Sequence, residues 1–100
     1  MTTPEGKIKA AIRKHLDTLA PQCWYYCPQD RFTAGIMDIV GCYHGQFFAV
    51  EVKTERNDTT ELQEWTMFKV RHAGGVARTV RTLEQLQQVL SETRRQRRRP

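Results

Sequence analysis

The residues of this chain whose types are best suited to chemistry are Asp38, Glu51 and Lys53. Asp38 interrupts one apolar run and Glu51 ends the next, in segments that otherwise have the composition of β-strands. Carboxylate oxygens are preferred ligands of divalent cations, and a nearby ammonium group can position a water molecule or stabilise a phosphate oxygen. These residue types therefore indicate metal-assisted hydrolysis of a phosphodiester.

A predicted hairpin brings the two acids together. If the turn is centred on His44-Gly45, Tyr43 lies opposite Gln46, and stepping back along both strands places Asp38 opposite Glu51. Directly opposed side chains have Cβ atoms about 5 Å apart, where like charges destabilise a sheet unless a cation neutralises them. A three-residue turn would shift this register by one and separate the acids.

Three residues besides the two acids are candidates for the same site. Alternation along the strand places Lys53 on the face of Glu51. Gln63 falls in the first turn of a predicted helix, where its amide could reach the strand end or only cap the helix. Glu5 lies on the apolar stripe of the first helix and would turn towards the core, or it only stabilises the helix dipole. The plain alternative for the set is an ordinary cross-strand Glu–Lys pair with an unrelated aspartate.

Three amphipathic helices and four strands are predicted around the hairpin. The first helix has Thr3 as its N-cap and Pro4 at its first position. Its apolar stripe is Ile8, Ala11, Ile12, Leu16 and Leu19, and its opposite side carries Lys7, Lys9, Arg13, Lys14 and Asp17.

The rest of the chain alternates strands and helices. Strands are predicted over residues 23–27, 37–43 and 46–54, with a loop through Arg31, Thr33 and Gly35 after the first. A second helix follows from about Thr60 to Ala73, with a capping box, and then come a strand over residues 76–80 and a helix capped by Thr82.

The net charge of +5 comes from the C-terminus. Arg94, Arg95, Arg97, Arg98 and Arg99 account for the excess, because the rest of the chain has equal numbers of acidic and basic residues. We expect one domain over residues 1–93 and a disordered tail over residues 94–100. The tail could add nonspecific affinity for phosphates or be only a solvated end.

The spacing of the cysteines and the hydropathy of the chain indicate the cellular compartment that we expect. Cys23, Cys27 and Cys42 do not have the spacing of a common zinc site, so reduced and mostly buried thiols are the better reading. No apolar run approaches the roughly 20 residues that span a bilayer. We expect a cytoplasmic protein without a membrane segment.

The motifs together resemble a nuclease family. Asp38 followed by Glu51-Val52-Lys53 is similar to the PD-(D/E)xK motif, and the flanking stretches PEGKIKAAIRKHL, GIMD, EVKTERNDTTELQEW and GGVARTVRTLEQLQQVL resemble the VRR-NUC (virus-type replication-repair nuclease) branch of that superfamily. The resemblance covers about residues 4 to 90. It implies an α/β, restriction-endonuclease-like αβββαβ core, in which a small mixed sheet is flanked by helices.

The resemblance also implies roles for the candidate residues. Asp38 and Glu51 would bind Mg²⁺ or Mn²⁺ with the Val52 carbonyl, and Lys53 would be the catalytic lysine. The glutamine of the following helix and the acid of the first helix would be Gln63 and Glu5. The sequence departs from the family pattern at Met37, where a proline often precedes the aspartate.

Short members of this branch are typically phage-encoded homodimers that resemble Holliday-junction resolvases. The resemblance therefore implies a metal-dependent endonuclease acting on branched DNA, with four-way junctions as substrate and the bacterial cytoplasm as location. Two alternatives stay open: a less selective nuclease on flap, duplex or single-stranded DNA, and a DNA-binding module without catalysis.

Overall fold

The computed structural model describes residues 3–29, 35–55 and 57–98. Within these ranges the chain forms a mixed four-stranded sheet and three helices, which confirms the predicted element order and the α/β class. The elements are α1 (Pro4–Asp17), β1 (Cys23–Tyr26), β2 (Ile39–Tyr43), β3 (Gln46–Val52), α2 (Glu61–His72), β4 (Val76–Val80) and α3 (Leu83–Arg98). The predicted loop through Arg31 and Thr33 lies outside the described residues.

The β2–β3 hairpin has the predicted register. Tyr43 lies opposite Gln46, and the antiparallel pairing continues to Ile39 opposite Val50. The turn residues His44 and Gly45 have φ angles of 51° and 83°, the left-handed conformation that a two-residue hairpin turn requires. Both strands are shorter than predicted at the end near the acids, since β2 begins only at Ile39 and β3 ends at Val52.

The sheet has the strand order β1-β2-β3-β4, with β4 parallel to β3. Helices α1 and α3 cover one face, where Ile12, Leu16, Phe48, Val50 and Leu86 form the centre of the larger core. Helix α2 covers part of the other face through a smaller cluster made of Met37, Ala49, Met67 and Ala77. Met37, which departs from the family pattern, is therefore a core residue.

Part of the second face is not covered by α2. Trp24, Cys42 and Phe47 are cross-strand neighbours there, and all three are exposed. The thiol of Cys42 is thus exposed, in contrast to the buried thiol of Cys23, and the expectation of mostly buried cysteines fails at this position.

The helices begin where their caps predict. The Thr3 hydroxyl accepts a hydrogen bond from the Gly6 N–H, and the Thr82 hydroxyl accepts one from the Gln85 N–H. At α2, Thr60 and Gln63 form both bonds of the predicted capping box. Among the described residues, none of the helices is long and apolar enough to cross a membrane.

Helix α3 extends through Arg98, so residues 94–98 are helical where the sequence predicts disorder. Val89, Leu90 and Thr93 are buried just before the arginines, and the Thr93 hydroxyl donates to the Val89 carbonyl at 2.7 Å. A helix anchored by packing at this point can continue through arginine and glutamine, which are good helix formers.

Gly41 lies where the backbones of β1 and β2 approach each other closely. A Cβ atom at this position would lie 2.4 Å from the Trp24 carbonyl oxygen and 3.0 Å from the Phe48 ring. We expect Gly41→Ala to lower the free energy of unfolding by about 2–3 kcal/mol, because the backbone of β1 must shift. Denaturant unfolding measures the loss.

Gly74→Ala is the matched control for Gly41→Ala. An added Cβ at Gly74 would meet no atom within 4 Å, and only its φ of 100° disfavours alanine. We expect a loss of about 1 kcal/mol there. An equal or larger loss at Gly74 would show that the contact between β1 and β2 does not limit substitution at Gly41.

Candidate active site

Asp38 lies immediately before β2, where the hairpin opens. Its Oδ2 accepts a hydrogen bond from the Val52 N–H at 2.9 Å, which joins the start of β2 to the end of β3. Its Oδ1 lies 2.9 Å from the Lys9 ammonium of α1. Both oxygens of this carboxylate are therefore fixed in direction by groups from other elements.

Glu51 is a buried acidic residue in β3 with 2% of its surface exposed. The strand is central in the sheet, with Thr79 of β4 as the neighbour of Glu51 on one side. Its Oε2 is buried and has no hydrogen-bond partner among the described residues. An unpartnered buried oxygen is costly, so its presence indicates a ligand site.

Glu5 joins the two acids from the first turn of α1. One carboxylate oxygen from each of Glu5, Asp38 and Glu51 lies within 4.8 Å of the other two. The N-cap at Thr3 and the proline at the first helical position fix where α1 begins, and hence where Glu5 lies. The structure thus brings together three acids predicted from separate elements.

Asp38 and Glu51 are close enough for their pKa values to move in opposite directions. Burial, together with the hydrogen bond and the negative charge of Asp38, raises the pKa of Glu51 to about 9. Burial alone would raise the pKa of Asp38. Its hydrogen bonds with Glu51 and the Val52 N–H, then the Lys9 ammonium, outweigh burial and lower that pKa. The resting pair is therefore an ionised Asp38 beside a protonated Glu51.

Lys53 follows directly after β3 on a fixed backbone. Its N–H donates to the Val80 carbonyl at 3.0 Å, which continues the parallel pairing with β4 by one residue. The side chain is half-buried, and its positive charge lowers the pKa of Glu51. The Lys53 charge therefore acts on Glu51, and a catalytic role for Lys53 stays a prediction.

Gln63 is engaged in the capping box of α2. Its side-chain oxygen accepts a hydrogen bond from the Thr60 N–H at 2.9 Å. This bond accounts for the residue's position without catalysis, and a catalytic role for Gln63 stays a prediction. The amide nitrogen still has two donors that the capping bond does not use.

Lys9 lies at the site although the sequence analysis did not predict it there. The helical pattern places it opposite the apolar stripe, yet its ammonium forms an ion pair with Asp38. Burial lowers the pKa of Lys9, but the hydrogen bond and charge of Asp38 outweigh burial and raise it. A signal was present, since Glu5 and Lys9 are one helical turn apart and therefore neighbours on the helix surface.

The acid cluster fits a hard divalent cation. Mg²⁺ and Mn²⁺ favour carboxylate and carbonyl oxygens, and the cluster supplies three carboxylates, one with an unpartnered oxygen. A cation would also offset the repulsion that now raises the pKa of Glu51. The cluster therefore contains both carboxylates of the predicted metal site, Asp38 and Glu51, with Glu5 beside them.

Comparison with known proteins places the fold. No protein-family model matches the chain, and no curated protein matches it. A solved structure described as a "VRR_NUC domain" is similar, with a TM-score of 0.76 and 18% sequence identity, over 90% of this chain and 97% of that one. The chain therefore has the restriction-endonuclease-like fold of a VRR_NUC domain.

Proposed function

We propose that this protein is a Mg²⁺- or Mn²⁺-dependent endonuclease that hydrolyses phosphodiester bonds in branched DNA. The observation that carries the proposal is the cluster of Glu5, Asp38 and Glu51, with a buried unpartnered oxygen, next to Lys53 in a nuclease fold. Hydrolysis of a phosphodiester needs a cation, an oriented water molecule and stabilised negative charge, which are the functions this cluster can support.

Asp38 and Glu51 would hold the cation, with the Val52 carbonyl as a further ligand. In an extended strand the N–H and C=O of one residue point to the same side, and the Val52 N–H points at Asp38. The Val52 carbonyl would therefore face the same side as Asp38. When bound, the cation would polarise the phosphodiester and favour ionisation of a water molecule.

The remaining site residues would act on the substrate and on the water molecule. The Lys53 ammonium would hold a phosphate oxygen or the attacking water and stabilise negative charge as it develops. The carboxylate of Glu5 would orient water from the α1 side. Lys9, which forms an ion pair with Asp38, would hold that carboxylate in a ligating orientation. The amide donors of Gln63 would contact water or phosphate from the start of α2.

Branched DNA is the proposed substrate because the chain is small and has one acid cluster in its described part. Little surface is left to read base sequence, so selection by shape and phosphate geometry is the simplest mode. Symmetric cutting of a four-way junction by such a chain requires a two-fold dimer. The exposed Arg94 and Arg95 near the end of α3 would add phosphate contacts.

Lys53→Ala tests the catalytic proposal. We expect cleavage of a labelled four-way junction to fall by about 10²–10⁴-fold, because charge on the reacting phosphate loses its stabilising ammonium. Manganese binding should persist, since Lys53 is not a ligand. Lys14→Ala, an exposed lysine of α1, is the matched control and should cleave as wild type does.

The same assay measures substrate preference by comparing the cleavage of a four-way junction, a flap, a linear duplex and a single strand. Paired, symmetric cuts confined to the junction support a resolvase. Equal cutting of all four substrates would indicate an unselective nuclease and reject the resolvase. Tight junction binding without cutting in magnesium or manganese would leave a DNA-binding module and reject catalysis.

Metal binding should release a proton from Glu51. Because the pKa of this carboxyl is raised to about 9, the group is mostly protonated at pH 7 and must ionise to bind a cation. We expect the apparent affinity for Mn²⁺ to rise about 10-fold per pH unit between pH 6.5 and 8.5. Calorimetry in buffers of different ionisation enthalpy should count close to one proton released at pH 7.

The stability of the cation-free protein should change in the opposite direction with pH. A raised carboxyl pKa stabilises the fold below the unfolded value near 4.3, and that stability is lost as pH rises towards about 9. We expect the melting temperature to fall between pH 6 and 9 in chelator. Glu51→Gln should flatten this slope and abolish the shift caused by Mn²⁺; an unchanged slope in this variant would refute the assignment.

A further inference from the structure

Helix α2 carries an aromatic face on the side away from the sheet. Its core contacts are made by Met67 and Val70, whereas Leu62, Trp65 and Phe68 have 55%, 55% and 49% of their surfaces exposed. The Trp65 and Phe68 rings stack with centroids 5.5 Å apart, and Phe68 stacks on His72 at 5.6 Å. The Lys69 ammonium lies 5.6 Å from the Trp65 ring. We call these residues the α2 face.

The α2 face has no counterpart within the described part of the chain. Its rings are ordered by stacking on one another rather than by burial in a core. Contiguous exposed apolar groups with a polar rim mark an interaction surface in soluble proteins. Tryptophan and other aromatic residues supply most of the binding energy at such surfaces.

The charges along α2 are complementary to those of a second, antiparallel copy of the helix. The first turn carries Glu61 and Glu64, and the last turn carries Lys69, Arg71 and His72. A second α2 helix in antiparallel orientation would therefore place acids beside bases at both ends of the pair. We propose that the α2 face pairs with the α2 face of a second copy of this chain, with the two helices antiparallel about a two-fold axis.

The sequence of α2 fits one register for this pairing. If Trp65 of each copy meets Phe68 of the other, then Glu61 meets His72, and Glu64 lies beside the basic last turn. The same contacts occur twice, as an isologous interface requires. DNA fits the α2 face less well, because Glu61 and Glu64 would repel phosphates at one end of it.

This pairing would form the homodimer that the proposed function requires. It rests on the proposed function only for the purpose of the dimer. A helix of 12 residues is about 18 Å long, so two such helices bury less surface than a typical stable interface. We therefore expect a dissociation constant in the micromolar range, measured by analytical ultracentrifugation of the full chain without DNA.

Trp65→Ala is the first test of the α2 face. We expect the dimer to weaken at least about 10-fold, because a central aromatic contact is lost from both copies. The fold should be unaffected, since Trp65 is exposed. Trp24→Ala is the matched control, because Trp24 is an exposed tryptophan of β1 outside the α2 face, and it should dimerise as wild type does.

Charge exchange tests the orientation of the helices. One variant carries Glu61→Lys with Glu64→Lys, and the other carries Lys69→Glu with His72→Glu. Each alone should be monomeric, because like charges then meet at both ends. An equimolar mixture should form a heterodimer, because every acid again faces a base. Circular dichroism and melting temperature check that each variant folds.

Three outcomes would overturn the pairing: a monomeric wild type at 100 µM or more, an unchanged dimer in Trp65→Ala, or a mixture of the charge variants that stays monomeric. Loss of DNA binding in Trp65→Ala with no change in mass would assign the α2 face to DNA instead. Dimerisation of Lys53→Ala is measured separately, so failure of the nuclease proposal and failure of the pairing are distinguished.

Discussion

Two carboxylates, those of Asp38 and Glu51, approach each other closely at the open end of the β2–β3 hairpin. Asp38 and Glu51 would repel each other if both were ionised, and Glu51 is buried. The raised pKa of Glu51, which favours its neutral form, reduces this repulsion, and the Val52 N–H and the Lys9 ammonium stabilise the ionised Asp38. Such a site can keep its geometry and still exchange the proton of Glu51 for a cation.

Each layer of the fold helps to keep that pair in place. The hairpin register fixes the acids opposite each other, and β4 pairs with Glu51 from the other side of β3. Helix α1 packs on the opposite sheet face through Ile12 and Leu16, and its first turns bring Glu5 and Lys9 to the strand ends. The apolar core thus determines where charged groups from three separate elements meet.

Sequence reasoning recovered the parts of the site that depend on local rules. The turn at His44-Gly45 has one favourable hairpin geometry, so the register followed from it, and the capping box at Thr60 located α2. Lys9 was missed because helical periodicity describes where Cα–Cβ bonds point, whereas a long side chain at the edge of the stripe can reach a distant charge. The length of α3 was missed because packing at Thr93, rather than local charge, determines where the helix continues.

The position of α2 in the chain connects the proposed interface to the proposed chemistry. Gly75 lies beside Phe47, at the end of the sheet opposite the acids, so α2 runs away from the site and its first turn is nearest to it. Antiparallel pairing would then place the two sites at opposite ends of the helix pair, about 18 Å apart along its axis. That is about five base-pair steps along the axis of a DNA duplex. A two-fold dimer built on α2 would therefore present its sites to two strands of a junction at positions related by symmetry.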